Sequence, residues 1–234
     1  MTQTVLVTGG ARGIGKAIAE AFVANGDTVF ITTRGAAQVP GCITISADLA
    51  EPGAIDHIFK TIEASSHSLD ILIANAGISK EQLLVRTEDS EISELVDINL
   101  ISNIKLCRNA AKVLMRKRAG SIVLVGSVLG MSGSAGSSVY AATKSGLIGL
   151  VRSLAREIGP RNVTVNLVTP GYVNTEMTAD LPDNFKEQVI ANTPLNRIAE
   201  PAEIAGLVLF LTSEQARFIT GAIIPVDGGL GMGN

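Results

Sequence analysis

Two side chains that could move a proton stand one helical turn apart in this sequence. Tyr140 and Lys144 lie in a segment of helical periodicity from Val139 to Ile158, so both are predicted on one face of a helix. A free tyrosine has a pKa of about 10, and a neighbouring ammonium group favours the phenolate and lowers that pKa. The pair is therefore suited to proton transfer near neutral pH.

A strand-end serine accompanies this pair. Ser127 follows the apolar run Ser121–Val125 and precedes Tyr140 by thirteen residues. Because ligands of open α/β sheets bind beyond the carboxyl ends of strands, Ser127 is predicted at the ligand-facing edge. A Tyr-x-x-x-Lys motif alone is common by chance. Its combination with Ser127 and with a glycine-rich turn is specific.

The glycine-rich turn lies between the first predicted strand and helix, where the sequence reads TGGARGIG. Gly9 permits a tight turn, Gly13 a close approach of backbone to a pyrophosphate, and Gly15 close packing of the helix. The helix start, with Ile14, offers free N–H groups and a positive dipole end to an anion. We predict a dinucleotide site here, the alternative being a purely structural turn.

The end of the second strand favours a phosphorylated dinucleotide. Sites for NAD usually carry an acidic residue there for the ribose 2′-hydroxyl, whereas this strand ends Ile31-Thr32-Thr33-Arg34. The guanidinium groups of Arg34 and Arg12 would suit a 2′-phosphate. NADPH is therefore the predicted cofactor. The alternative for Arg34 is a solvated surface charge.

Strand-length apolar runs alternate with helical segments along the whole chain. This alternation predicts a doubly wound, seven-stranded parallel sheet with helices on both faces, a Rossmann fold, in one domain over residues 1–234. The strands are predicted at Thr4–Thr8, Thr28–Thr32, Cys42–Ser46, Leu69–Ala74, Ser121–Val125, Val163–Val168 and Ala222–Val226. The main helices are predicted at 15–25, 52–64, 91–118 and 139–158.

Composition excludes several classes of function. The net charge of −3 and the lack of a basic stripe argue against nucleic acid. Cys42 and Cys107 fit no metal or redox spacing and are predicted to be buried thiols in a reducing cytoplasm. Neither a signal peptide nor a membrane span is predicted.

The combined motifs resemble the short-chain dehydrogenase/reductase family over essentially the whole chain. The C-terminal part is closest to bacterial 3-oxoacyl-[acyl-carrier-protein] reductases. One departure is Ala74, where the family commonly has asparagine, and we expect it to be neutral. The matching motifs of the first part are Thr8–Gly15, Asp48, Asn75-Ala76-Gly77, Asn99, Ser127, Tyr140, Lys144 and Pro170-Gly171. Those of the second part are Asn196-Arg197, Pro201–Ala205, Phe210-Leu211, Ile219–Gly221 and Val226–Gly229.

The resemblance implies a mechanism. Hydride passes from the nicotinamide to a ketone carbon while Tyr140 gives a proton to the oxygen. Lys144 also holds the nicotinamide ribose, and Ser127 binds the carbonyl oxygen and stabilises the developing alkoxide. Asn99 holds a water that links Lys144 to solvent, the alternative being a surface or helix-kink residue.

The resemblance also implies further cofactor contacts. Asp48 and Leu49 are expected at the adenine, and Asn75 and Gly77 at the adenosine and ribose. Val173 is expected at the nicotinamide carboxamide through its backbone, the alternative being simple packing.

Substrate and assembly follow from position and resemblance. Residues 174–194 are expected to form a lid, and Tyr172 and Met177 to offer apolar contact to an acyl chain. The basic groups 116–118, or Arg152 and Arg156, are two options for receiving an acidic acyl-carrier protein. The family's usual assembly implies a homotetramer through the long helices and the C-terminal strand.

Three functions stay open at this point. The first is reduction of a 3-oxoacyl thioester, on acyl-carrier protein or CoA, in fatty-acid synthesis. The second is the same chemistry on a sugar, a steroid or another ketone, and the third is NADPH binding without catalysis. A metal site or a serine hydrolase fails for want of partners, because His57 and His67 lie in the third crossover, which a Rossmann layout places far from Ser127.

Overall fold

The short runs rich in Val and Ile form the strands of a single sheet in a computed structural model that describes residues 2–179 and 181–232. All seven predicted strands are present, with ends shifted by up to two residues. Their bounds are β1 Thr4–Val7, β2 Thr28–Thr33, β3 Cys42–Ser46, β4 Ile71–Ala74, β5 Gly120–Val125, β6 Val163–Pro170 and β7 Ile223–Val226.

The strands are arranged in the order β3-β2-β1-β4-β5-β6-β7, and every neighbouring pair is parallel. The chain builds outward from β1 through β2 to β3, and then starts again at β4 on the other side of β1. The junction of β1 and β4 is therefore the topological switch point, where open α/β sheets bind ligands beyond the strand ends. The predicted fold class is confirmed.

Helices cover both faces of the sheet. Nine α-helices lie in the described part of the chain: α1 Gly13–Ala24, α2 Ala54–Ala64, α3 Asp89–Val96, α4 Ser102–Lys117, α5 Leu129–Ser132, α6 Ser138–Ile158, α7 Glu176–Ala179, α8 Asp183–Asn192 and α9 Pro201–Thr212. The helical region predicted over 91–118 is interrupted. A π-helical turn, Asp97–Ile101, separates α3 from α4.

Alternating side chains of the strands build two cores, one on each face. Leu6 and Leu72 point to the face that α2, α4 and α6 cover, while Val5 and Ile73 point to the face that α1 and α9 cover. Strands buried on both faces in this way explain why the chain needs so few polar residues in its strands. Both layers hold the strand ends at the switch point in fixed positions.

The two cysteines are free thiols within the layers. Cys107 is buried in α4, and burial raises the pKa of its thiol to about 12. Cys42 is only half-buried, although burial still raises the pKa of its thiol. The thiolate of Cys107 is therefore inaccessible at physiological pH, as expected for a small core residue.

Candidate active site

A cleft of about 560 Å³ opens beyond the carboxyl ends of the strands at the switch point. It lies where the sequence placed the dinucleotide and brings together residues from eight separate segments of the chain. The predicted residues that line it are Gly9, Arg12, Gly13, Ile14, Gly15, Arg34, Asp48, Leu49, Asn75, Gly77, Tyr140 and Lys144. Three other predicted residues, Ser127, Asn99 and Val173, lie behind this lining and are described separately below.

The turn after β1 is built around its glycines. Gly9 and Gly13 have positive φ values of 63° and 51°, a region that L side chains rarely adopt. A Cβ on Gly15 would lie 2.2 Å from the carbonyl oxygen of Gly9, so any side chain at this position would clash with the turn. Glycine at these positions therefore lets the start of α1 approach the turn, and leaves a smooth backbone surface on the cleft.

The first turn of α1 faces this cleft. The N–H groups at the start of an α-helix have no acceptor within the helix, and the helix dipole places partial positive charge there. Arg12 occupies the position before the helix in an extended conformation, and its side chain does not cap the helix. The site can therefore receive an anionic group on backbone N–H donors.

Two arginines add positive charge at the rim. Arg34, just after β2, is exposed and lines the cleft. Arg12 also lines it, and its Nη1 lies 3.9 Å from Oε2 of Glu176, the first residue of α7. Both members of this pair are more than half exposed, so the interaction is weak. Arg12 therefore remains available to an anion in the cleft.

Asn75, just after β4, forms hydrogen bonds with the glycine turn. Its Nδ2 donates to the carbonyl oxygens of Thr8 and Gly9, at 3.0 and 3.3 Å. The hydroxyl of Thr8 in turn accepts the backbone N–H groups of Asn75 and Ala76, both at 3.1 Å. The amide of Asn75 is thus committed to the protein, and its place in the cleft wall is set by these bonds.

Tyr140 and Lys144 sit on the first turns of α6, at the inner end of the cleft. The Nζ of Lys144 donates to the carbonyl oxygen of Val125 at 2.9 Å and lies 5.8 Å from the centre of the Tyr140 ring. Lys144 is 4% exposed, and burial lowers the pKa of its ammonium group to about 8. A buried ammonium group of this pKa can exchange its proton near neutral pH.

Burial has the opposite effect on the phenol. It raises the pKa of Tyr140 above the ordinary value of 10.0, a side-chain hydrogen bond with Ser127 lowers it, and nearby Tyr172 raises it further. The net direction is upward, so Tyr140 keeps its proton in this state. An acid that stays protonated until a basic oxygen arrives is suited to donate.

Ser127 lies just beyond β5, behind the lining of the cleft. Its hydroxyl lies close enough to that of Tyr140 to lower the pKa of the phenol, and its Oγ accepts the backbone N–H of Leu129 at 3.2 Å. The serine, the tyrosine and the lysine thus form one cluster from β5 and α6. The structure thus brings Ser127, Tyr140 and Lys144 together at one site.

Asn99 is buried in the π turn, so the surface alternative for this residue is wrong. The N–H of Ile78 donates to its Oδ1, and its Nδ2 donates to the carbonyl oxygen of Ile78, both at 2.9 Å. Nδ2 also lies 3.3 Å from Oγ1 of Thr143. The side chain therefore clamps the segment that follows β4. A bound water would have to use other atoms of Asn99.

Gly77 lies between Asn99 and Lys144. A Cβ at this position would lie 3.1 Å from Oδ1 of Asn99 and 3.4 Å from Nζ of Lys144. The absence of a side chain therefore allows these two groups to face the same small space. The π turn and the lysine are therefore neighbours on either side of this glycine.

Val173 is placed behind the cleft. Its side chain is 3% exposed and belongs to the core under α9, and it bridges to Ala199 in parallel register. Its carbonyl oxygen accepts the hydroxyl of Thr178 at 2.6 Å. Simple packing, the alternative interpretation of Val173, therefore applies to its side chain. The neighbouring Thr175, Glu176 and Met177 line the cleft instead.

Some lining residues were missed from the sequence, among them Thr32, Ala76, Ile98 and Thr175. They are small or apolar and carry no chemical signal of their own. For Thr32, Ala76 and Thr175 the available indication was their position at a strand end or after Pro170-Gly171, and for Ile98 it was its place beside Asn99.

The 174–194 segment forms α7 and α8 beside the cleft, with Asp180 outside the described residues. The rings of Tyr172 and Phe185 meet edge to face, with centroids 5.7 Å apart, which ties α8 to the chain just after β6. Met177 lines the cleft and is 56% exposed. Apolar surface is thus available next to the tyrosine–lysine pair.

The basic groups considered for an acidic partner lie away from this cleft within a single chain. Lys117 forms an ion pair with Asp70 and donates to the carbonyl oxygens of Ser68 and Leu69, just before β4 begins. That is the amino edge of the sheet, opposite the cleft. Arg156 bonds the carbonyl of Arg152 in the last turns of α6, also remote from Tyr140.

The described residues contain no cluster of three or more His, Cys, Asp or Glu side chains that could hold a metal ion. In the same residues, no helix is long and apolar enough to cross a membrane.

Comparison with known proteins finds relatives that match nearly the whole chain. Residues 9–231 match a family profile described as enoyl-(acyl carrier protein) reductase. The chain is 42% identical over 98% of both chains to the 3-oxoacyl-[acyl-carrier-protein] reductase FabG of Vibrio harveyi. It is 39% identical, again over 98% of both, to FabG of Escherichia coli K12.

Two further matches extend the comparison. The 3-oxoacyl-[acyl-carrier-protein] reductase MabA of Mycobacterium avium is 41% identical over all of this chain and 92% of its own. A crystal structure of a putative gluconate dehydrogenase from Agrobacterium tumefaciens superposes with a TM-score of 0.94 at 30% identity, covering 98% of this chain and 96% of that one. With its Rossmann sheet, glycine turn and clustered serine, tyrosine and lysine, the chain belongs to the short-chain dehydrogenase/reductase family, whose members use a nicotinamide cofactor.

Proposed function

We propose that this chain uses NADPH to reduce a 3-oxoacyl thioester to the 3-hydroxyacyl thioester in fatty-acid synthesis. The observation that carries the proposal is the cluster of Ser127, Tyr140 and Lys144 beside the dinucleotide cleft, in a chain whose full-length relatives include several 3-oxoacyl-[acyl-carrier-protein] reductases. Full-length similarity supports the acyl-carrier protein as the substrate carrier, with CoA as the alternative.

The residues of the cleft fit a dinucleotide. The close approach of Gly15 to Gly9 leaves the bare backbone that a pyrophosphate needs, and the start of α1 supplies N–H donors. Asp48, Leu49, Asn75 and Gly77 line the part of the cleft expected to hold the adenosine. When bound, the nicotinamide supplies the hydride that the ketone carbon accepts.

The arginines favour NADPH over NADH. Arg34 and Arg12 line one cleft beside β2, whose end carries no carboxylate that would repel a 2′-phosphate. Arginine binds phosphate through paired, charge-assisted hydrogen bonds. We place the 2′-phosphate between these two side chains.

The proton is supplied by Tyr140. Its phenol donates to the oxygen of the substrate ketone as negative charge develops there, and Ser127 donates a hydrogen bond to the same oxygen. Lys144 in its charged form stabilises the phenolate that remains, and Val125 holds its Nζ in place. Asn99 positions the segment around Gly77 against Lys144.

The 174–194 segment is proposed as the lid. Thr175, Glu176 and Met177 already line the cleft, and α8 is anchored through the ring contact of Phe185 with Tyr172. Closure over the bound substrate would exclude water from the ketone. Tyr172 and Met177 offer the apolar surface next to an acyl chain.

The protein is proposed to act in the cytoplasm.

A panel of substrates tests this function. Consumption of NADPH is measured with 3-oxoacyl groups of increasing length on acyl-carrier protein and on CoA. A ketogluconate and a 2-enoyl thioester are assayed beside them, because one similar structure is a putative gluconate dehydrogenase and the family profile is described as an enoyl reductase. Preference for the 3-oxoacyl thioesters supports the proposal, and preference for either control overturns it. Binding of NADPH without turnover on any substrate would identify a non-catalytic protein.

A further inference from the structure

The π turn between α3 and α4 depends on two side chains that the proposed mechanism does not use. Within this turn the N–H of Ser102 donates to the carbonyl of Asp97, five residues earlier, where an α-helix would bond across four. This shift breaks the regular pairing of N–H and carbonyl groups. The carbonyl oxygens beside the turn therefore need other donors.

Consecutive side chains supply those donors. The hydroxyl of Ser102 donates to the carbonyl oxygen of Ile98 at 2.5 Å, and Nδ2 of Asn103 donates to the carbonyl oxygen of Asn99 at 2.7 Å. Both side chains are buried, and each bonds the carbonyl four residues before it. Such back-bonding competes with the helical ladder and stabilises bends in helices.

Burial of the Asn103 side chain at this position costs free energy. It is 1% exposed, and its Oδ1 has no hydrogen-bond partner within residues 2–179 and 181–232. An unpaired buried amide oxygen destabilises a fold, so packing alone favours an apolar side chain here. The bond from Nδ2 to the Asn99 carbonyl is the interaction that offsets this.

That carbonyl belongs to Asn99, whose side chain lies near Lys144 across Gly77. The side chain of Asn99 binds both backbone groups of Ile78, and Gly77 lies next to Oδ1 of Asn99 on one side and Nζ of Lys144 on the other. A shift of the π turn would therefore move the segment that faces Lys144. Asn103 touches none of the reacting groups itself.

We propose that Asn103 is a positioning residue for proton transfer, acting by holding the main-chain carbonyl of Asn99 and with it the π turn. Its amide sets the orientation of the Asn99 side chain, which sets the place of Gly77 beside Lys144. The role rests on the proposed ketone reduction, because it concerns the step in which Tyr140 gives up its proton.

The test compares three variants in the complete enzyme. Asn103→Ala removes the donor, and Asn103→Ser restores a hydroxyl that can bond the residue four positions earlier, as Ser102 does. Asn109→Ala is the matched control, because Asn109 lies on the same helix and its Nδ2 bonds the carbonyl of Lys105 at 3.2 Å, but on the exposed side. For each, kcat and KM with a 3-oxoacyl thioester are measured, together with the dissociation constant of NADPH.

For Asn103→Ala we expect kcat to fall roughly tenfold, less than the 10²- to 10⁴-fold that a general acid contributes, since the acid itself is retained. KM and NADPH affinity should stay within about twofold, because the glycine turn and the two arginines proposed to hold the dinucleotide phosphates are untouched. Asn103→Ser should recover most of kcat. Asn109→Ala should match the wild type.

Three results would overturn the proposal. They are an unchanged kcat in Asn103→Ala, a parallel loss of NADPH binding and kcat, and a failure of Asn103→Ser to recover activity. If Asn103→Ala does not fold, Asn103→Val is used, and unfolding of both assigns the residue a structural role only. A wild-type enzyme that reduces no ketone contradicts the proposed function instead, so the two failures are distinguishable.

Discussion

At the scale of single residues, burial moves the pKa values of Tyr140 and Lys144 apart. It raises the phenol pKa and lowers the ammonium pKa to about 8. A charged lysine beside a protonated tyrosine is therefore the state in which the enzyme is ready to donate.

The first prediction concerns the dependence of ketone reduction on pH. Because the reaction needs the protonated pair, kcat should be level below about pH 7 and should fall as pH rises through the Lys144 pKa near 8. In Lys144→Arg the guanidinium group stays charged, so the alkaline fall should move to higher pH. A profile of kcat against pH checks both. A wild-type kcat that rises across this range would contradict the assignment.

The second prediction concerns the choice of cofactor. Arg34→Ala should raise KM for NADPH about 10- to 100-fold, the value of a hydrogen bond to a charged group, while KM for NADH changes little. Arg12→Ala should act in the same direction. Steady-state kinetics with both cofactors measure the ratio. Equal use of NADPH and NADH by the wild type would show that neither arginine selects the cofactor.

At the scale of elements, the strands and the glycine turn were readable from the sequence because their causes are local. Runs of Val and Ile mark β1 and β5, and the spacing of Gly9, Gly13 and Gly15 marks the turn. The π turn was not readable, because one of the contacts that hold it joins Asn99 to Ile78, twenty-one positions away along the chain. The alternation of strands and helices alone could not show it.

Val173 illustrates the same limit. Its position after β6 was correct, but whether its side chain faces the cleft or the core depends on the parallel bridge to Ala199, a contact across the fold. Thr175, Glu176 and Met177 take the cleft positions because the chain turns into α7 directly after this bridge. Side-chain direction at a strand end therefore required the structure.

The third prediction tests the contact between the turn and α1. In Gly15→Ala the added Cβ would lie 2.2 Å from the Gly9 carbonyl oxygen, so the helix must move away. We expect loss of NADPH binding of at least tenfold and a lower midpoint of thermal unfolding. Gly159→Ala is the control, since a Cβ there meets nothing within 4 Å. Wild-type NADPH affinity in Gly15→Ala would refute the role of this glycine.

At the scale of the whole molecule, parts of the surface suit association with further copies of this chain. Residues of α3, the π turn and α6 enclose an apolar groove of about 360 Å³, and Phe218, before β7, is fully exposed. These lie on the long helices and near the C-terminal strand, where the tetramer interfaces are proposed. Large apolar exposure of this kind often marks an interface.

The fourth prediction tests that assembly through Gly149, an exposed glycine in the middle of α6. A Cβ there meets nothing within 4 Å in the single chain, yet glycine inside a helix costs about 1 kcal/mol relative to alanine. A close approach of another helix would explain it. We propose that the chain assembles as a tetramer through α6, and Gly149→Glu should therefore give smaller species than the wild type in size-exclusion chromatography with light scattering. Lys60→Glu, at an exposed position of α2, is the control and should leave the assembly unchanged. A tetramer in Gly149→Glu would exclude α6 from the interface.

The most direct test of the central claim is the rate of 3-oxoacyl thioester reduction by Tyr140→Phe at saturating NADPH. Removal of the phenol proton should lower kcat by about 10²- to 10⁴-fold while NADPH affinity stays within a few-fold of the wild type. Reduction at a near-normal rate by Tyr140→Phe, with NADPH still bound, would contradict the account.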